Sequence, residues 1–173
     1  KLDRMSVTDH LQETAKLYGG PLFLTGVYRS GTTLISQVLN NHPNLMVTSE
    51  TLHFFRFYLG KYVPVEKRYE DIVRQAEWRL RERFGIHVPA EDILERLKKL
   101  PQIEMRDVYA TLMEETFCNG SSELRWGEKS LIQWSNIPLF LQMFPTGQAI
   151  HIFRDPRGVL ASYREYTNES PHR

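Results

Sequence analysis

Apolar and polar residues change their spacing several times along the chain, and each change marks an element. A short apolar run begins at Leu22 and breaks at Gly26, and apolar residues resume at helical intervals with Leu34, Ile35, Val38 and Leu39. That order predicts a strand, a tight loop and a helix. A turn at His42 and Pro43 then leads to a second short strand, Leu45 to Thr48, ending at Ser49 and Glu50. Strand, helix and strand in so few residues imply a right-handed crossover between parallel strands. Upstream, Thr8 to about Tyr18 reads as a helix capped by Thr8 and stopped by Gly19 and Gly20.

From Thr51 to Cys118 the pattern becomes helical and rich in Arg, Lys and Glu, punctuated by Pro64, Pro89 and Pro101. Within it Ile72, Val73, Ala76, Leu80 and Phe84 recur at helical spacing, so the intervening charges are most simply a solvated face. The sheet pattern returns with "ELRWGEKS", a short helix in "NIPLFLQMFP" stopped by Pro145, and the strand "AIHIF". In "RDPRGVLASYREY" Asp155 suits an N-cap, Pro156 the first helical turn, and Val159, Leu160 and Tyr163 an apolar face. The expected fold is therefore α/β: a mostly parallel, P-loop-type sheet flanked by helices, with a helical insertion over residues 60–120. No internal repeat or low-complexity tract interrupts it.

With 173 residues, the chain suits one globular domain. Apolar residues at 41% and charged residues at 25% are ordinary globular values. A formal net charge of +1 argues against a broad nucleic-acid surface, so an anion site has to come from a few placed groups. No apolar run approaches the roughly 20 residues that cross a bilayer, and the N-terminal residues lack the order of a signal peptide. The single Cys118 permits no internal disulfide and favours a cytoplasmic setting. Asn119 and Asn168 begin N-x-S sequons that matter only in a secretory context.

The candidate chemistry sits at two strand-to-helix junctions. Gly26, Gly31, Thr32 and Thr33 give G-x-x-x-x-G-T-T, a phosphate-loop pattern with Thr32 in place of the lysine that grips the terminal phosphates of ATP. Backbone N–H groups of Ser30 to Thr33 and the following helix dipole would face an anion there, and Arg29 adds a bidentate cation. At the second junction Arg154 stands at a strand's C-terminal end, where open α/β sheets place ligands. Either junction alone is compatible with an ordinary turn. Together they suggest a ligand with two separated anionic groups.

"YRSGTT" resembles the 5′-phosphosulfate loop of sulfotransferases, with Arg29 at the usual lysine position, and "RDPRGVLASYREY" resembles their 3′-phosphate segment. With "NHPN…SET" and "WGEKS" between them, the chain looks like the bacterial and tyrosylprotein branch over Leu22–Tyr58 and Leu124–Tyr166. The resemblance implies transfer of a sulfonate from 3′-phosphoadenosine 5′-phosphosulfate (PAPS) to a hydroxyl or amine, with adenosine 3′,5′-bisphosphate (PAP) as product and no metal. It implies that Arg29, Ser30, Gly31, Thr32 and Thr33 hold the phosphosulfate, and that Arg154 and Ser162 hold the 3′-phosphate. Lys129 would stabilise the bridging oxygen beside Arg29, and Glu50 would be the general base. Glu50 could equally be a first-turn acid of a helix beginning near Thr51, and His53, three residues further on the same helical face, is the rival base.

The acceptor is open among small molecules, carbohydrates, lipids and protein tyrosines. Family members continue beyond the 3′-phosphate helix, so the chain is expected to be a fragment, and a membrane anchor elsewhere stays possible. Two further function classes are kept: an NTP-dependent P-loop kinase, with Asp155 as the metal-holding acid, and a noncatalytic nucleotide-binding module. His42 belongs to its turn, His151 reads as a core histidine bonded to a neighbour, and Phe54, Phe55, Phe57 and Tyr58 read mainly as core.

Overall fold

The computed structural model describes residues 19–59, 64–121 and 124–169. The helix expected over Thr8–Tyr18 lies outside the described residues. Strands β1 (Leu22–Gly26), β2 (Leu45–Ser49), β3 (Arg125–Lys129) and β4 (Gln148–Ile152) form one parallel sheet in the order β2-β3-β1-β4. β1 and β2 are parallel as expected, but β3 lies between them. Leu24 is in register with Lys129 and Ile150, and Ser49 with Lys129, so the strands' C-terminal ends align along one rim.

Among the described residues the helices are α1 (Thr32–Leu39), α2 (Phe54–Phe57), α3 (Tyr69–Phe84), α4 (Ala90–Lys98), α5 (Met105–Phe117), α6 (Ile137–Met143) and α7 (Pro156–Glu169). Helix α3 carries Glu70 and Asp71 in its first turn and Arg81 and Arg83 in its last, complementing the dipole, and ends at Gly85 with φ 65°. Glu104 and Asp107 form a capping box on α5, and Pro89 precedes α4. The described residues between β2 and β3 are largely helical for these local reasons. The helix expected from Thr51 instead begins at Phe54, leaving Glu50 and His53 in a left-handed turn with φ of 56° and 49°.

Side chains of α2 to α6 enclose the core together with Phe23 of β1 and Trp126 of β3. Phe23 stacks on Phe140 at 5.2 Å and meets Phe55 edge-on, while Phe54 stacks on Tyr109 at 4.1 Å. Phe54, Phe55 and Tyr58 are thus core, as expected, with Phe57 half-buried. Ile72, Val73, Ala76 and Leu80 are buried too, but Phe84 is exposed because α3 ends there at Gly85.

The helices flanking β1 and β4 behave differently from expectation. On α1 the buried residues are Thr32 and Ser36, whereas Leu34 and Val38 are exposed. The Ser36 hydroxyl turns back onto the Thr33 carbonyl at 2.9 Å, so small hydroxyl residues fill the space beside the loop. On α7 Leu160 and Tyr163 are also exposed. No helix among the described residues is long and apolar enough to cross a membrane.

Candidate active site

The rim of the sheet carries a pocket of about 270 Å³ lined by Arg29, Gly31, Thr32, Thr33, Glu50, Arg154 and Ser162, together with Tyr28 and Leu131. Residues from both junctions therefore meet in one place. Arg29 Nε donates to Ser162 Oγ at 3.0 Å, and Arg154 donates to the Arg29 carbonyl at 2.9 Å. The Arg29 guanidinium also lies 5.1 Å from the centre of the Tyr166 ring.

Two glycines shape the first loop for different reasons. Gly31 has φ 101°, a conformation that side chains disfavour, although a Cβ there would meet nothing. Gly26 is limited by space, since a Cβ would lie 2.9 Å from the Ile152 carbonyl and 3.0 Å from Ser30 Oγ. Gly31 caps α1 without a side-chain bond. Among the described residues no partner is seen for the N–H groups of Gly31, Thr32 and Thr33, which leaves a helix N-terminus open towards the pocket.

Ser30 departs from its expected role. Its N–H donates to the Val27 carbonyl at 3.3 Å and its hydroxyl to the same oxygen at 2.7 Å, so both groups brace the loop. Ser30 is buried and is not among the pocket residues. The loop offers an anion three amides where four were expected.

Lys129 lies under the pocket floor at 1% exposure. Its Nζ donates to Thr33 Oγ1 at 2.9 Å and pairs with Glu50 Oε1 at 2.9 Å. The Glu50 N–H donates to the Lys129 carbonyl at 3.1 Å, which joins the end of β2 to that of β3 through main chain as well. A buried ammonium held between a hydroxyl and a carboxylate is poised beside whatever occupies the anion loop. Glu50 precedes α2 by several residues, so it is not the first-turn acid that the helical alternative required.

His53 does not share a helical face with Glu50, because both residues are left-handed turn positions. Its Nδ1 lies 3.0 Å from Ser130 Oγ, and the ring is not among the pocket residues. Burial, followed by the positive charge of Arg79, pushes the imidazole below its ordinary value of 6.5, against an upward pull from Glu50.

Asp155 caps α7: Oδ1 accepts the Arg157 N–H at 2.8 Å and Oδ2 accepts from the Arg157 guanidinium at 2.7 Å. Hydrogen bonds from Arg157 hold the carboxyl below its ordinary range. Both oxygens are thus committed to the helix start, contrary to the metal-holding role considered for a kinase. Among the described residues there is no group of three metal-ligating side chains. His151 is half-buried on β4, stacks on Trp134 at 5.6 Å and meets Phe153 at a tilt with centroids 4.1 Å apart; the contacts seen are aromatic, where a bonded core residue was expected. His42 accepts the Asn44 N–H at 3.2 Å and belongs to its turn.

Two functional neighbours were not legible in the sequence. Glu128, fully buried, accepts the Phe54 N–H at 3.3 Å and the Tyr109 hydroxyl, and burial pushes its carboxyl up to about 7. Arg79, on α3, is 8% exposed and donates to the carbonyls of Thr51 and Leu52. Glu128 stands within the quoted "WGEKS", but its inward direction depends on strand pleat and on Tyr109 from a distant helix. A second cavity of about 710 Å³, mostly apolar, opens on the far side of Arg154 between Trp134, Phe153 and Val159.

A parallel sheet whose interior strand β1 feeds a glycine-hydroxyl loop, faced by an arginine from the neighbouring strand end, is a protein class built to hold a multiply anionic ligand. The sequence model of the sulfotransferase family matches residues 21–173, and the chain belongs to that family. Neither a curated protein nor a solved structure matches it. Sulfotransfer is thus the activity of its class.

Proposed function

We propose that the chain transfers a sulfonate from PAPS to an acceptor hydroxyl or amine by in-line displacement. The observation that carries this reading is the meeting of the Gly31–Thr33 loop with Arg154 and Ser162 in one pocket. A nucleotide with phosphate at both its 3′ and 5′ positions matches anion-binding groups that two separate strand-to-helix junctions bring to one cavity. Thr32 at the usual P-loop lysine position agrees with a donor that has no γ-phosphate.

On this reading Gly31, Thr32 and Thr33 bind the 5′-phosphosulfate through main-chain N–H groups and hydroxyls, with Arg29 clamping from the side. Ser30 shapes the loop from within. Arg154 and Ser162 hold the 3′-phosphate, and the apolar cavity beyond Arg154 gives the adenine a surface. The acceptor oxygen or nitrogen attacks sulfur as the bond from sulfur to the bridging phosphate oxygen breaks, and PAP leaves with the new negative charge. Lys129 supplies the cation nearest that developing charge, which is the kind of preorganised stabilisation that lowers a barrier most. Arg29 assists as a permanent cation and cannot act as an acid.

The proton of the acceptor passes to Glu50, whose carboxylate lines the same pocket 2.9 Å from Lys129. His53, turned to Ser130, serves the turn that carries Glu50. Small molecules, carbohydrates, lipids and protein tyrosines all fit this chemistry as acceptors.

Isothermal titration of the purified chain with PAP, AMP and ATP with magnesium tests the reading. Binding of PAP in preference to the other two, lost in Arg154→Ala, is the expected result. Preference for ATP with magnesium, or PAP binding indifferent to Arg154, would overturn it.

A further inference from the structure

The catalytic turn of the proposed reaction runs from Glu50 to Phe54 and adopts two left-handed residues in five, Glu50 and His53. Side chains resist that conformation, so the surrounding structure has to hold it. Its lower side is held by the sheet: the Glu50 N–H meets the Lys129 carbonyl, and the Phe54 N–H meets Glu128. The carbonyls of Thr51 and Leu52, pointing the other way, cannot be satisfied by the sheet.

One side chain satisfies both. Arg79 reaches from the middle of α3 and donates through Nη1 to Thr51 O and, at 2.9 Å, to Leu52 O. Its guanidinium lies 4.2 Å from the centre of the Phe57 ring, one turn further along, so the same group also packs on α2. An arginine this deeply buried, drawn to the Glu128 carboxylate without an ion pair to it at contact distance, is costly to maintain for packing alone. Its two acceptors both belong to the turn that begins at Glu50.

We propose that Arg79 is a positioning residue, supplied by the helical region between β2 and β3, that fixes the Glu50–Phe54 turn so that the Glu50 carboxylate faces Lys129 and the reacting centre. This rests on Glu50 being the base of a PAPS-dependent transfer. It also gives the helical region a part in the chemistry, because the guanidinium of α3 holds the turn that carries Glu50, a residue of the pocket. Arg79 itself lies outside the pocket and touches neither donor nor acceptor.

The test uses the whole chain with water as acceptor: release of PAP from PAPS, PAP affinity by titration, thermal midpoint, and amide hydrogen exchange of the peptide spanning Glu50–Phe54. In Arg79→Ala we expect kcat to fall about 100-fold, as for a misplaced catalytic group, with PAP affinity and the KM for PAPS within about twofold. Exchange should rise in the Glu50–Phe54 peptide and stay unchanged in Gly31–Leu39. Added guanidinium should restore part of the rate to Arg79→Ala and none to Glu50→Gln.

A kcat within about twofold of the wild type, or PAP affinity falling in step with kcat, would overturn the proposal. Should Arg79→Ala fail to fold, Arg79→Lys decides: a single ammonium cannot reproduce the planar fork, so kcat falls about tenfold at constant PAP affinity. Unchanged kcat in the lysine variant would again overturn it. If wild-type chain binds no PAP and releases none from PAPS, the functional reading fails; raised exchange of the turn in Arg79→Ala then still identifies the clamp, and unchanged exchange removes it.

Discussion

Replacing Glu128 by Gln tests the most deeply buried carboxyl among the described residues. Glu128 has no exposed surface; one oxygen accepts the Phe54 N–H and the other meets the Tyr109 hydroxyl. Burial raises its carboxyl from 4.5 to about 7, with the Tyr109 and main-chain hydrogen bonds opposing. A carboxyl raised in the folded state holds its proton more tightly there than in the unfolded chain. Between pH 4.5 and about 7 the folded chain therefore binds more protons, and stability falls as pH rises. Below that window the group costs nothing, and above it the whole cost is present. At about 1.4 kcal/mol per unit, the cost of ionising Glu128 is about 3 kcal/mol. Gln keeps the shape, accepts the Phe54 N–H and donates to the Tyr109 oxygen without ever ionising.

Urea unfolding of wild type and Glu128→Gln at pH near 5 and near 8 reads the difference directly. The stability of the variant relative to wild type should grow by about 3 kcal/mol between those conditions, with similar m-values. The same comparison by heating gives a relative gain of roughly 6–12 °C in Tm. A difference that does not change with pH would refute the raised carboxyl and with it the account of how β3 is buried.

Gly31→Ala places a side chain at φ 101° and should cost about 1–3 kcal/mol while weakening PAP binding, measured by unfolding and titration. Lys129→Ala should lower kcat for PAP release from PAPS by about 100- to 1,000-fold with little change in PAP affinity, because the lysine acts beneath the anion loop. Arg96→Ala removes pairs to Glu114 and Glu115 that join α4 to α5 at the surface, and its stability loss in urea should stay under about 1 kcal/mol.

What was legible in the chain depended on how local the cause was. The Gly31 loop, the Asp155 cap, the Pro89 boundary and the four strands follow from neighbouring residues, and they appear nearly where spacing puts them. The order β2-β3-β1-β4 does not, because it is decided by which distant strand fills the gap beside β1. At the site, the residues brought by the two junctions could be named in advance. Lys129 could be named too, though not its place beneath the loop. The turn at Glu50 could not be seen: acidic, hydroxyl and aromatic residues in "SETLHFF" fit a helix start equally well, and only clamping by Arg79 and Glu128 makes it left-handed. Arg79 was hidden among charges that face water at every other turn of α3. Leu34, Val38 and Leu160 show the converse, apolar spacing that points outward.

The bonds from Arg29 to Ser162 and from Arg154 to the Arg29 carbonyl tie the two junctions together before any nucleotide arrives. On the proposed reaction a nucleotide held at both its phosphates exchanges the first of these bonds for its own as it enters, and the bond closes again when it leaves. Loss of the sulfonate leaves the 3′-phosphate as it was and adds charge to the 5′-phosphate, so on the proposed reaction spent PAP keeps the grip at Arg154 and Ser162 that PAPS had. The latch between Arg29 and Ser162 is then remade at each departure of PAP, so the pocket is returned to the same arrangement before the next donor enters.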